Sequence, residues 1–159
     1  MPAEEGKKAR DFTLESSTGE KISLKNYRGE NWVVLYFYPK DDTPGCTKEA
    51  CDFRDRSAEL KKMGAVVLGV SPDDLKKHGK FSEKYDLNFP LLSDVDKKVC
   101  EAYGVWVEKS MYGRKYMGVE RSTFLVDPDG KIAKAWRKVS VTDHGEDVVK
   151  TLAEKEKKD

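Results

Sequence analysis

Two cysteines five residues apart, Cys46 and Cys51, stand behind Pro39, Thr43 and Gly45 in the run PKDDTPGCTKEAC. The thiolate is the nucleophilic form of cysteine, so a thiol does chemistry where its surroundings favour the anion. Thr43 followed by Pro44 marks a helix start, with Thr43 as N-cap and proline at the first helical position. On that register Gly45 is second and Cys46 third. Cys46 then lies in the first turn, where unpaired backbone N–H groups and the positive end of the helix dipole favour negative charge and depress a thiol's pKa. The competing reading of Cys46 is a small, inert buried residue. The cap geometry and the second cysteine nearby argue for a reactive one.

The spacing of Cys46 and Cys51 carries its own prediction. If both are helical, their Cα atoms lie about 8.6 Å apart on different faces. A disulfide wants Cα atoms closer than about 7 Å. The two sulfurs either are unrelated or join only when the first turns unwind, which would couple redox state to local unfolding. Cys100 sits in DKKVCEAY beside Val99 and Tyr103, on the apolar side of a short helix, and reads as a buried structural thiol. The three cysteines lack the paired spacing of a zinc site. His78 and His144, the only histidines, lie in charged surroundings and read as surface residues, so a cysteine–histidine protease finds no support. Lys48 reads as solvent-facing.

The elements that must hold this loop follow from periodicity. Residues 32–38 (WVVLYFY) form an unbroken apolar run, the signature of a strand buried on both faces. A loop at 39–45 leads to a helix over about 46–63, with Phe53, Ser57 and Leu60 on one face and Gly64 as its stop. Residues 65–71 (AVVLGVS) predict a second buried strand. A helix follows over about 72–85, with Ser71 as cap and Pro72 in its first turn. Strand, helix and strand in this order predict a parallel pair with a right-handed crossover. A short strand at 91–92 and a short helix over 94–103, closed by Gly104, come next. Residues 121–126 and 131–137 flank DPDG as a β-hairpin. A last helix spans about 145–154, and 154–159 reads as a frayed charged tail. Residues 105–120 predict no definite element. The pattern is α/β, a mixed central sheet flanked by helices, in one domain over 1–159.

The motif Pro39-x-x-x-Thr43-x-x-Cys46 resembles the peroxiredoxin active-site motif. Residues 37–54 (FYPKDDTPGCTKEACDFR) are similar to the bacterioferritin-comigratory, or Q-type, peroxiredoxins, as are 121–130 (RSTFLVDPDG) and 9–14 (ARDFTL). The resemblance implies a thioredoxin-like fold and a thiol peroxidase that reduces hydrogen peroxide and small organic hydroperoxides. It implies that Cys46 is the peroxidatic cysteine and Cys51 the resolving cysteine of the same chain. Pro39, Thr43 and Arg121 are the matching active-site partners. It further implies recycling by thioredoxin or a related dithiol, a monomer, and no flavin, haem or metal cofactor. Some relatives carry the resolving thiol on the helix after the second strand. Here that helix contains KFSEKY and no cysteine, which leaves Cys51.

Magnitudes show what the partners must contribute. A free thiol is already several per cent ionised near neutral pH, so complete ionisation raises a rate only about ten- to thirtyfold, roughly 1.4–2 kcal/mol. A lower pKa also reduces intrinsic nucleophilicity. The larger share must come from groups that fit the stretched O–O bond. Arg121 offers a permanent charge and a fork of donors, Thr43 a hydroxyl that accepts from the peroxide, and Gly45 and Cys46 their backbone N–H groups. Pro39 would shape the loop and shield it from water. Glu49, one turn after Cys46, either orients Arg121 or is a solvated helix residue.

Composition narrows the rest. Hydrophobic residues make up 38%, charged 37% and aromatic 10%, which argues for a folded chain. Thirty basic against 29 acidic residues leave a net charge of +1 and no footprint for nucleic acid or an anionic membrane. An odd, low cysteine count is not a secreted disulfide framework. The start MPAEEGKKARDF has no apolar stretch of a secretory signal, and 32–38 is too short to span a bilayer. A soluble, cytoplasmic protein is expected, although an organellar chain with its transit peptide removed would look the same. Two other functions fit parts of the pattern. A redox sensor whose partners change when the first helix unwinds would use the same motif. A dithiol–disulfide oxidoreductase would be expected to carry Cys-x-x-Cys, which is absent.

Overall fold

The apolar run 32–38 is buried at every position and lies at the middle of a five-stranded sheet. The computed structural model describes residues 4–157. In chain order its strands are β1 (Thr13–Glu15), β2 (Lys21–Ser23), β3 (Trp32–Phe37), β4 (Ala65–Ser71), β5 (Leu91–Ser93), β6 (Trp106–Met111), β7 (Arg114–Val119), β8 (Ser122–Val126) and β9 (Ile132–Trp136). Its helices are α1 (Pro44–Lys62), α2 (Leu75–Lys84), α3 (Lys98–Ala102) and α4 (His144–Lys157), and a 3-10 turn spans Leu24–Tyr27.

The central sheet has the order β5-β4-β3-β8-β9. β4 runs parallel to β3 and to β5, whereas β8 is antiparallel to both β3 and β9. The sheet is therefore mixed, as the thioredoxin-like expectation required. Side chains alternate along a strand, so β3 serves two cores. Val33, Leu35 and Phe37 enter one, closed by Cys100 of α3, Val105 and Val119. Val34 and Tyr36 enter the other, where Phe53 and Leu60 of α1, Phe81 of α2, and Val148 and Leu152 of α4 pack. Leu60 is fully buried and contributes about 2 kcal/mol by removal from water.

Helix α1 ends as expected. Gly64 has φ +82°, a left-handed conformation that glycine adopts without strain, and its carbonyl accepts from Trp32 N–H at 2.9 Å to start β3. Several boundaries differ from the sequence reading. The second helix begins at Leu75 rather than Pro72, and its cap is Asp74, whose carboxylate accepts from Lys77 N–H at 2.9 Å. Ser71 instead donates to Asp73 at 2.8 Å. The helix expected over 94–103 is a single turn, because the buried Asp94 carboxylate takes the Val99 and Cys100 N–H groups from outside it. Residues 105–120 form the hairpin β6–β7, which turns at Tyr112 and Gly113 with φ +51° and +78°. β1 and β2 pair as a further small hairpin that the sequence reading did not contain. Helix α4 continues to Lys157, so 154–157 is helical rather than frayed, and 158–159 lie outside the described residues.

Candidate active site

Strand β3 delivers the chain into the loop 38–43 at the carboxyl end of the β3–β4 parallel pair, where open α/β sheets gather their sites. Thr43 is the N-cap of α1 by backbone conformation, and Pro44 follows it. Its hydroxyl does not cap the helix as expected. It donates to the Lys40 carbonyl at 3.0 Å, which leaves the Oγ1 lone pairs available to an incoming O–H. Pro39 is half-buried at the start of this loop.

Cys46 lies in the first turn of α1 and is 2% exposed. Arg121, the residue before β8, reaches across to it. Its Nη2 donates to the Cys46 Sγ at 3.3 Å, and its Nη1 donates to Glu49 Oε1 at 2.7 Å. One planar guanidinium thus bridges the thiol and a carboxylate a helical turn further on. Gly45 leaves room for this approach, since a Cβ there would stand 3.1 Å from Arg121 Nη2, a tight contact. Burial opposes the charge on Arg121, but Glu49 and Cys46 outweigh it and raise its pKa, so the charge is permanent.

Glu49 is not a solvated helix residue. It is 2% exposed, and burial pushes its carboxyl up to about 7 against the opposing pull of Arg121. Its Oε2 and the hydroxyl of Tyr36 are both buried without a hydrogen-bond partner among the described residues. Burial, then Glu49 and Cys46, push the Tyr36 phenol well above its ordinary value, so Tyr36 stays protonated. Lys48 is exposed, as expected. The hairpin β6–β7 walls a shallow depression of about 510 Å3 that includes Val107, Lys109, Tyr116 and Arg121.

Cys51 is half-buried in the second turn of α1, and all three cysteines are free thiols. With α1 wound from Pro44, the helical separation of Cys46 and Cys51 stays at about 8.6 Å, beyond bonding reach. Cys100 is fully buried, and burial with Asp94 pushes its thiol pKa far up, so it is an unreactive core residue.

Both histidines contradict the surface expectation. His144 is 6% exposed, meets Thr123 Oγ1 at 2.8 Å through Nε2 and packs edge-on against Phe53 and Trp136. Burial lowers its pKa to about 4, so it is neutral near pH 7. His78 is fully buried against Asp41 of the loop. Nothing in the sequence could pair these two, because 37 residues separate them. Asp41, Asp73 and His78 hold ligand-type atoms within 4.8 Å of one another. Asp41, His78 and Asp73 Oδ2 already have partners among Tyr38, Ser71, Leu92 and the loop backbone, and Asp73 Oδ1 faces Lys77 Nζ at 3.9 Å.

A thioredoxin-type sheet that carries a helix-start cysteine under an arginine–glutamate bridge defines a class of cysteine-based redox proteins. The AhpC/TSA family model matches residues 6–135. Peroxiredoxin Bcp of Bacillus subtilis is 51% identical over 158 residues, covering 99% of this chain and 100% of the relative. Peroxiredoxin Bcp of Escherichia coli is 46% identical over 96% of this chain and 97% of its own. Among solved structures, Xanthomonas campestris Peroxiredoxin Q superposes with a TM-score of 0.85 at 46% identity, covering 89% of each chain. A cysteine-to-serine mutant of Xylella fastidiosa PrxQ gives 0.91 at 39% identity, over 96% of this chain and 97% of its own. The chain belongs to the AhpC/TSA family and is a peroxiredoxin of the Bcp, or Q-type, group.

Proposed function

We propose that this protein is a thiol peroxidase in which Cys46 is the peroxidatic and Cys51 the resolving cysteine. A structure of the X. campestris bacterioferritin comigratory protein, 46% identical, concerns its alkyl peroxide reduction activity, which supports hydroperoxides as the substrate class. The observation that carries the residue assignment is the Arg121 bridge, 3.3 Å to the Cys46 sulfur and 2.7 Å to Glu49.

In the first step the Cys46 thiolate attacks the terminal peroxide oxygen. The S–O bond forms as the O–O bond breaks, sulfur is oxidised to sulfenic acid, and the departing oxygen leaves as water or alcohol after taking a proton. Arg121 is placed to stabilise charge on sulfur and on the leaving oxygen, and the Thr43 hydroxyl to accept from the peroxide O–H. Pro39 and Gly45 shape the space around them. In the second step the first turns of α1 unwind, Cys51 attacks the sulfenic sulfur, and a disulfide and water form. A dithiol of the thioredoxin class, itself oxidised, returns both thiols by exchange. The chain acts in this reading as a cytoplasmic monomer. Among the described residues no helix is long and apolar enough to cross a membrane.

Hydrogen peroxide should remove two titratable thiols per chain in the wild type and none of them catalytically in Cys46→Ser. Cys51→Ser should react once, stop at the sulfenic acid and over-oxidise more easily. Turnover retained by Cys46→Ser would remove the assignment.

A further inference from the structure

The loop that carries Thr43 to Cys46 is tied to α2 by two successive acidic residues. Asp42, in a left-handed conformation with φ +59°, meets Lys84 Nζ and Tyr85 Oη, each at 3.0 Å, on the surface. Such exposed pairs contribute little. Asp41 is different. It is 7% exposed, its backbone N–H donates to Asp73 Oδ2 at 2.7 Å, and its Oδ1 accepts from Tyr38 Oη at 2.5 Å. Its Oδ2 lies 2.6 Å from Nδ1 of the fully buried His78.

Proton counting fixes the state of this pair. His78 Nε2 faces the Leu92 carbonyl of β5 at 3.0 Å, and a carbonyl only accepts, so Nε2 carries a hydrogen. Nδ1 faces a carboxylate oxygen, so a second proton lies between ring and carboxylate. Whether it is written as imidazolium with carboxylate or as imidazole with carboxylic acid, the unit is neutral overall. Neutrality is what permits its burial, since breaking such a pair leaves an uncompensated buried group. The loop between β3 and α1 is thus fastened from within to α2, β5 and the turn after β4, two residues before Thr43.

We propose that His78 and Asp41 are positioning residues for the peroxidatic loop, and that their shared proton biases α1 towards the wound, peroxide-reactive state over the unwound state that lets Cys51 reach Cys46. This rests on the assignment of Cys46 and Cys51 above. Loosening the clamp moves the two chemical steps in opposite directions, because the first uses the wound helix and the second the unwound one.

The test uses the full chain, hydrogen peroxide and stopped flow. In His78→Gln, sulfenic acid formation should slow by about tenfold while the subsequent disulfide step accelerates and over-oxidation at high peroxide falls. A purely structural role would lower both steps together. Asp41→Ala/His78→Leu, which replaces the pair with apolar groups, should show the same partition in a chain whose folding is verified by circular dichroism. In 15N-labelled wild type at neutral pH, His78 Nε2 should report as protonated, and a far-downfield proton shared by Nδ1 and Asp41 should appear that His78→Gln abolishes. Unchanged step rates in folded variants, both steps falling in parallel, or absence of a proton shared between Nδ1 and Asp41 would each overturn the proposal. Inability of the wild type to consume peroxide would instead sink the functional assignment beneath it.

Discussion

At the scale of single residues, Glu49 gives the sharpest reading because two forces on it oppose each other. Arg121 favours its carboxylate, and burial disfavours it more, so its folded-state pKa lies at about 7 against 4.5 for the free side chain. A value raised on folding adds stability that is complete below about 4.5 and is lost as pH rises through about 7. The difference corresponds to about 3 kcal/mol. Denaturant unfolding should therefore show Glu49→Gln gaining on the wild type between pH 5 and pH 8. If the wild type gains on the variant as pH rises, the ion pair with Arg121 outweighs burial and the sign is wrong. Legibility at this scale was uneven. Cys46, Thr43 and Gly45 announce themselves through proline-capped helix chemistry over a few residues. Arg121 looks like any strand arginine until the fold brings it to the helix start, and only the motif resemblance singled it out. His78 and His144 were misplaced because a polar neighbourhood along the chain says nothing about what packs over it in space.

At the scale of elements, α1 combines a fixed half with a labile one. Its later turns bury Phe53 and Leu60 in the core. Asp52, directly after Cys51, is fastened across to α4, where its Oδ2 accepts from Gly145 N–H at 3.0 Å, and within α1 its Oδ1 accepts from Arg56 Nε at 2.9 Å. Before it, the segment 44–51 is held by the Arg121 contacts, the burial of Cys46, Glu49 and Ala50, and its own helical bonds. Peroxide-oxidised protein should lose helical circular dichroism worth about two turns, and amide exchange should accelerate across 44–51 but not beyond Asp52. An oxidised, disulfide-linked form with undiminished helicity would contradict the geometry. β3 and β4 were legible as near-continuous apolar runs, and α1 through the Thr43-Pro44 start, the face of Phe53 and Leu60, and the Gly64 stop. The hairpin β6–β7 was not, since its turn uses Tyr112 at positive φ where asparagine or aspartate is the usual signal. The start of α2 was misread because Ser71, a cap as good by type as Asp74, is engaged by Asp73.

At the scale of the whole molecule, the sheet separates two thiol environments. Cys46 sits in the core shared by α1, α2 and α4, beneath a charged donor, whereas Cys100 lies fully buried in the opposite core with Phe37 and Tyr103. The unbroken apolar run of β3 made burial on both faces foreseeable. Which cysteine belonged to which core depended on helix placement. The arrangement predicts that thiol chemistry divides by side of the sheet. Reduced native protein should expose fewer than three thiols to a disulfide reagent and all three in denaturant. After stoichiometric peroxide, one thiol should remain, detectable only on unfolding, and peptide mapping should place it at Cys100. Cys100→Ala should still lose two thiols to peroxide, although the cavity it leaves lowers stability by about 1 kcal/mol for the lost packing. A remaining thiol at Cys51, with Cys100 oxidised, would require the sheet itself to open during turnover, because no movement confined to α1 carries Cys46 through β3 to the other core.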